Sequence, residues 1–213
     1  MLILLRHGQT TSNVTRALDT ALPGADLTEL GQQQARDAGA EIIKRFAPAR
    51  IATSQAIRAQ HTGRQAFGAY LEQAGAELEE LVGIQEISAG RFEMQNSPEA
   101  HLGYLSSVAG YFARNLDAQV DGGETLTQFL GRYRAGLRPY EEAARDDNVV
   151  VVSHGGAIRA YAANATSVDS QFATRAYLPN CEYVVINPVG DFGDWELIQW
   201  GAAHNQDTGF AVD

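Results

Sequence analysis

Cysteine occurs once in this chain of 213 residues, at Cys181. No disulfide can therefore form within the chain, and no cysteine-based zinc site can be assembled. Basic residues are also short, with 16 lysines and arginines against 26 aspartates and glutamates and a formal net charge of −10. So acidic a balance argues against general nucleic-acid or anionic-membrane binding, which needs a basic face. A small anionic substrate asks for less, since a local group of arginines suffices. No apolar run is long enough for a membrane span or a signal-peptide core, and the first, Leu2–Leu5, is stopped by Arg6. The cytoplasm is the expected location. Fixed-period repeats and low-complexity tracts are missing too. With 45% hydrophobic residues and no linker, residues 1–213 read as a single domain with one sizeable core.

Three short apolar runs read as buried parallel strands: Leu2–Leu5, Arg50–Ala52 and Val149–Val152, the last preceded by an Asp146-Asp147-Asn148 turn. Each is followed by a helical stretch. Asp26 or Thr28 caps the first helix, Ala35, Ala38, Ile42 and Phe46 recur on its apolar face, and Pro48 ends it. Gln55–Tyr70 and Ala157–Asn164 are the next two. Strand alternating with helix predicts a three-layer α/β/α fold on a mainly parallel sheet. Two parts depart from the rhythm. Residues 88–123 fit helices only and are expected as an insertion over the C-terminal ends of the strands. Tyr183–Ile186 and Trp195–Trp200 flank Pro188-Val189-Gly190-Asp191 and predict an antiparallel hairpin at the sheet edge.

The residues just past each parallel strand carry the chemistry. After the first come Arg6-His7-Gly8. After the second come Thr53-Ser54, with Arg58 about one turn into the next helix. After the third come Ser153-His154-Gly155-Gly156. Ligand crevices of open α/β sheets lie outside the carboxyl ends of the strands, so two histidines and two arginines should converge there. Arginine's planar fork of donors suits phosphate oxygens. A neutral imidazole is a nucleophile able to accept a phosphoryl group, and a second, protonated imidazole would stabilise charge spreading over the equatorial oxygens. Glycines let the backbone approach closely, and a helix N-terminus favours an anion. These residue types together describe a phosphate pocket.

With those residues in place, the chain resembles the histidine phosphatase superfamily, in its phosphoglycerate-mutase-like branch. Leu5-Arg6-His7-Gly8-Gln9-Thr10 with Asn13 is similar to L-R-H-G-E/Q-T-x-x-N, and Leu27-Thr28-Glu29-Leu30-Gly31 with Gln34-Ala35 to L-T-x-x-G-x-x-Q-A. Ser54, Arg58-Ala59 and Thr62 resemble S-x-x-x-R-A-x-x-T, while Glu86, Gly90 and Phe92-Glu93 resemble E-x-x-x-G-x-W/F-E. Gly122-Gly123-Glu124-Thr125 and Ser153-His154-Gly155-Gly156 complete a similarity that runs over about residues 2–165 in the family's order. The resemblance implies His7 as the phosphorylated nucleophile. It implies Arg6, Arg58 and His154 as the rest of the phosphate pocket, with Asn13 and Gly155 as further substrate contacts. Glu86 is implied as proton donor to the leaving oxygen and then as base for water, a role that an alkoxide leaving group demands in any case. Glu93 and Glu124 are rival carboxylates, Glu124 reading rather as a helix cap. No metal and no other cofactor is implied.

The departures concern specificity. Arg16–Gly24 replaces the N-x-x-x-R-x-Q-G-x-x-D-x-P loop of many relatives, and the E-R-x-Y-G segment of cofactor-dependent mutases is missing around Glu86. A mutase must hold a displaced phosphoglycerate, and residues 88–123 offer only Arg91 and Arg114 as cations. A metal-independent phosphomonoester hydrolase acting on a small phosphorylated metabolite is therefore expected. A cofactor-dependent phosphoglycerate-type mutase is the near alternative, and a phospho-ligand-binding regulatory protein without turnover the distant one. A metallohydrolase on His7 and His154 would have to explain two arginines crowding a cation. His61 reads as packing or surface, His101, in the variable segment, as structural in preference to a substrate contact, and His204 as surface. Tyr104, Tyr111 and Phe112 are spaced as a core-facing helix stripe; should they line the entrance, the non-phosphate part of the substrate is apolar or aromatic. The exposed edge strand leaves room for a homodimer.

Overall fold

The computed structural model describes residues 1–201, and His204 lies outside them. Six strands form one sheet: β1 (Leu2–Arg6), β2 (Arg50–Ser54), β3 (Glu79–Leu81), β4 (Val149–Ser153), β5 (Tyr183–Asn187) and β6 (Glu196–Trp200), in the order β3-β2-β4-β1-β5-β6. The helices are α1 (Thr11–Thr15), α2 (Glu29–Phe46), α3 (Ile57–Ala74), α4 (Pro98–Phe112), α5 (Leu126–Ala143), α6 (Gly155–Ala165) and α7 (Ser170–Arg175).

The strands are apolar on both faces because helices cover both. Leu2, Leu4, Val149 and Val151 pack with α4, α5 and α6 on one side. Ile3, Leu5, Val150 and Val152 pack with α2 and α3 on the other. Successive side chains of a strand point to opposite faces, so an unbroken Leu/Val run is what a doubly covered strand requires. Each such side chain contributes about 1.5–3 kcal/mol on burial.

β1, β2, β3 and β4 run parallel, and β5 and β6 are antiparallel to their neighbours. The expected hairpin is present with β6 at the edge, but its link spans residues 188–195 rather than a tight turn, and β5 pairs directly with β1. Strand β3 is not expected from sequence, because Glu79-Glu80-Leu81 has no apolar run; its charges suit an edge strand that must not recruit another chain. Thr28 rather than Asp26 caps α2, accepting from the Gly31 amide at 3.0 Å. Glu124 is not a cap, since Thr125 closes a capping box with Gln128 at the start of α5. Within residues 88–123 lie a 3-10 turn (Gly90–Phe92) and α4, which packs against α6 and α7.

Candidate active site

β2, β4 and β1 are neighbours in the sheet and end level with one another, Arg6 standing opposite Ser153 and Thr53 opposite Val152. This register sets the segments that leave the three strands side by side. The His7 amide donates to the Ser153 carbonyl at 3.0 Å, and the His7 and His154 rings lie 5.3 Å apart, tilted by 60°.

His7 is buried, and its Nδ1 lies 2.8 Å from its neighbour's carbonyl, Gly8 O. A carbonyl only accepts, so Nδ1 carries the hydrogen and Nε2 keeps the lone pair. Burial, with the positive charges of Arg58 and Arg6, pushes the His7 pKa well below its ordinary value. The ring is thus a neutral base with a defined nucleophilic atom.

His154 differs from the expected protonated partner. Its Nδ1 accepts from Arg58 Nε at 3.2 Å, which leaves the hydrogen on Nε2, donated to Ser54 Oγ at 2.9 Å. Burial and then Arg58 drive its pKa well down. His154 is neutral here because it sits, fully buried, against a permanent cation. Its first task is to hold Arg58.

The two arginines present unused donors. Arg6 gives Nη1 to the Tyr177 hydroxyl (2.7 Å) and the Leu178 carbonyl (2.6 Å), which leaves its buried Nε without a partner. Arg58 is 2% exposed, yet Nη1 and Nη2 make no hydrogen bond, the carboxylate of Asp19 standing 3.9 Å from Nη1. Buried donors are satisfied almost everywhere in proteins, so orphaned donors beside a nucleophile mark a place for acceptor oxygens. Gly155 opens α6, and a Cβ there would sit 3.0 Å from Arg6 Nε. Asn13 lines a cavity with Arg6 and Gly155, its Oδ1 accepting from Thr10 N and Asn180 Nδ2, both at 3.1 Å.

Three carboxylates surround the pocket with different tasks. Glu86 accepts from the amides of Gly156 (2.9 Å) and Ala157 (2.7 Å), at the N-terminus of α6, and lines the cavity with Arg6 and Gly155. Glu93 accepts from the amides of Thr20 (2.8 Å) and Ala21 (3.0 Å) and thus anchors the loop that carries Asp19 and Gly24. Glu124 pairs with Arg132, whose guanidinium also grips the carbonyls of Gly83, Gln85 and Glu86. Of the three, only Glu86 lines the cavity that holds Arg6 and Gly155.

That cavity is about 380 Å³ in volume, and its outer wall comes from α4 (Tyr104, Leu105, Val108, Phe112) and from Arg16 to Leu18. Tyr111 is not part of it; its hydroxyl donates to the Glu124 carbonyl. His101 lines the cavity too, and its Nε2 donates to the Arg16 carbonyl at 2.8 Å, tying the loop to α4, while His61 pairs with Asp26 away from the pocket. Asp19, Asn180, Tyr177, Arg132 and Arg159 are not among the residues predicted from sequence. Arg159 alone has a signal there, one helical turn beyond Gly155, and the others reach the site from loops or through main-chain contacts.

The family model for the histidine phosphatase superfamily (branch 1) matches residues 2–202. The PE-PGRS family protein PE_PGRS11 of Mycobacterium tuberculosis is 29% identical over 213 residues, which cover 92% of this chain. The chain spans about a third of that protein's length, 35%. A 2,3-bisphosphoglycerate-dependent phosphoglycerate mutase of Nitrobacter winogradskyi is 32% identical, covering 75% of this chain and 78% of the mutase. The metal-independent phosphoserine phosphatase of Arabidopsis thaliana is 25% identical over 79% of this chain and 70% of its own. Among solved structures, a mycobacterial glucosyl-3-phosphoglycerate phosphatase shares the fold, with a TM-score of 0.73 at 24% identity over 95% of this chain and 98% of that one.

Proposed function

The chain belongs to branch 1 of the histidine phosphatase superfamily, and from that premise we propose that it is a metal-independent phosphomonoester hydrolase working through a phosphohistidine on His7. The observation that carries the reading is the pairing of a neutral His7, hydrogen on Nδ1, with orphaned donors on Arg6 and Arg58. Those donors take the phosphoryl oxygens, and the Nε2 lone pair attacks phosphorus. The ester P–O bond breaks as Glu86 delivers a proton to the leaving oxygen. The Glu86 carboxylate then takes a proton from water, the oxygen attacks the phosphohistidine, and the P–N bond breaks to release phosphate. Ester and water become alcohol and phosphate, and His7 and Glu86 return to their starting states. Two permanent cations flanking both histidines favour an anion at this place over a metal ion.

Hydrolysis is supported over mutase chemistry by the fate of the two cations of residues 88–123. Arg91 pairs with Asp121 at 3.0 Å on the surface, and Arg114 spends its donors on the carbonyls of Ala163, Thr166 and Val168. Neither of these two is left to hold a displaced phosphoglycerate, a task that in this cavity would fall to Arg16 and Arg159 instead. The likeness to a mutase at 32% identity keeps that second reading in view. We place the protein in the cytoplasm, a reading in keeping with one unpaired, buried cysteine, and its substrate among small phosphorylated metabolites.

The test is phosphate release from p-nitrophenyl phosphate and a panel of phosphomonoesters in EDTA, with His7→Ala alongside. Release that survives EDTA and vanishes in the variant supports the reading. Turnover that requires 2,3-bisphosphoglycerate turns it to a mutase, and release abolished by EDTA rejects it.

A further inference from the structure

Besides Arg6, a second buried arginine lines the cavity, Arg159. Arg159 projects from α6, is 8% exposed, and lines the cavity together with Arg6, Gly155 and the apolar wall of α4. One end of its guanidinium is anchored, Nη2 donating to the carbonyls of Ala173 (3.0 Å) and Thr174 (2.8 Å). Its plane lies against Phe112, 4.4 Å from the ring centre to Cζ. Its Nε is buried with no partner, the condition also found at Arg6 Nε and Arg58 Nη1 and Nη2. Among the described residues no carboxylate comes within ion-pair distance of it, Glu86 being the carboxylate whose charge acts on it most. Burial lowers its pKa to about 10, so it remains a cation at neutral pH.

A buried, unpaired cation is unfavourable unless something compensates it, and two carbonyls satisfy only part of a guanidinium. We propose that Arg159 is a second anion-binding residue, which receives a carboxylate on the non-phosphate part of the substrate while the carbon skeleton lies against Leu105, Val108 and Phe112. This substrate class, carboxylate-bearing phosphomonoesters, rests on the phosphohydrolase reading. Arg16 at the mouth of the same cavity adds to the positive field. The site is fixed before ligand arrives, because the Ala173 and Thr174 carbonyls and the Phe112 face hold the guanidinium in place, so little side-chain entropy is lost on binding.

The experiment compares kcat/KM for matched esters, 3-phosphoglycerate against glycerol 3-phosphate and phosphoserine against phosphoethanolamine. It is run on the wild type, Arg159→Gln and Arg159→Lys. The wild type should prefer the carboxylated member of each pair. In Arg159→Gln that preference should fall by about 10- to 100-fold, expressed in KM, with partial recovery in Arg159→Lys. A wild type without the preference, or a preference that survives Arg159→Gln, overturns the proposal. A second measurement needs neither a variant nor turnover. Calorimetric binding to the wild type should be at least about 10-fold tighter for 3-phosphonopropionate than for propylphosphonate. Equal affinities overturn the subsite even where the esters are hydrolysed. Tighter phosphonopropionate binding without hydrolysis of any ester sustains the subsite and rejects the hydrolase reading instead.

Discussion

At the scale of single residues, the pocket is held by contacts that leave no slack. Gly24 sits at φ +73, and a Cβ there would come within 2.0 Å of Arg58 Nη1. Arg58 is itself buried and tied to His154, so it cannot simply swing aside. Gly24→Ala should therefore displace the guanidinium and lower kcat/KM by about 10- to 100-fold, while weakening competitive inhibition by inorganic phosphate in parallel. Unchanged phosphate inhibition would mean that Arg58 does not bind the phosphoryl group. Glu86 makes a different prediction. Glu86→Gln keeps the size but loses the transferable proton, and one acceptor of the Gly156 and Ala157 amides with it, so kcat for alkyl phosphates should drop by about 10²- to 10⁴-fold. The loss should be much smaller for p-nitrophenyl phosphate, whose leaving group needs no proton. Equal losses on both would remove Glu86 as the acid.

At the scale of elements, the segment carrying Glu86 is not regular structure and depends on a neighbour. Arg132 of α5 grips the carbonyls of Gly83, Gln85 and Glu86 and is neutralised by half-buried Glu124. Arg132→Met leaves three carbonyls and a carboxylate short of donors, and should destabilise the protein by about 2–4 kcal/mol, read from the urea midpoint. Adding Glu124→Leu should recover part of that loss, because the unpaired charge goes with it. A double variant as unstable as the sum of the two singles would show that the pair is not coupled. The same element shows where local pattern misleads. Glu124, beside Gly122-Gly123 in sequence, has the position of a helix cap, yet the cap is Thr125 and the carboxylate turns to a residue two turns along α5.

At the scale of the molecule, two helical layers bury both faces of the sheet, and they bury the two pocket histidines as well. Both have folded-state pKa values well below the unfolded one. Below about pH 6.5 the unfolded chain therefore binds protons that the folded protein does not. Their contribution to stability is complete above that pH and is lost as pH falls toward the depressed values, each by up to about 1.4 kcal/mol per pH unit. The urea midpoint should fall between pH 7.5 and 5.5, and fall less in His154→Gln. Identical pH dependence in the two proteins would mean that His154 is not held as a buried neutral base. In the proposed mechanism the attacking form of His7 is the neutral one, and this depression would keep it so in mildly acidic solution.

Much of this is legible in the chain alone. The Leu2–Leu5 and Val149–Val152 runs declare doubly covered strands because alternate side chains face opposite layers, and the residues behind them declare phosphate chemistry by type and position. Strand β3 is not legible, since a short charged edge strand owes its pairing to β2 and not to its own pattern. Nor are Asp19, Asn180 and Tyr177, which reach the site through the closing of loops. The neutral state of His154 departs from the protonated one that a charge-stabilising role at a phosphate suggests, because burial and Arg58 act on it across the fold. The sequence by itself determined that Arg6, His7, Arg58 and His154 lie at strand ends and helix starts, because those are set by local pattern. Tertiary structure alone decided which atoms carry hydrogens and which donors stay free, because burial and distant charges act across the fold and leave no trace in local pattern.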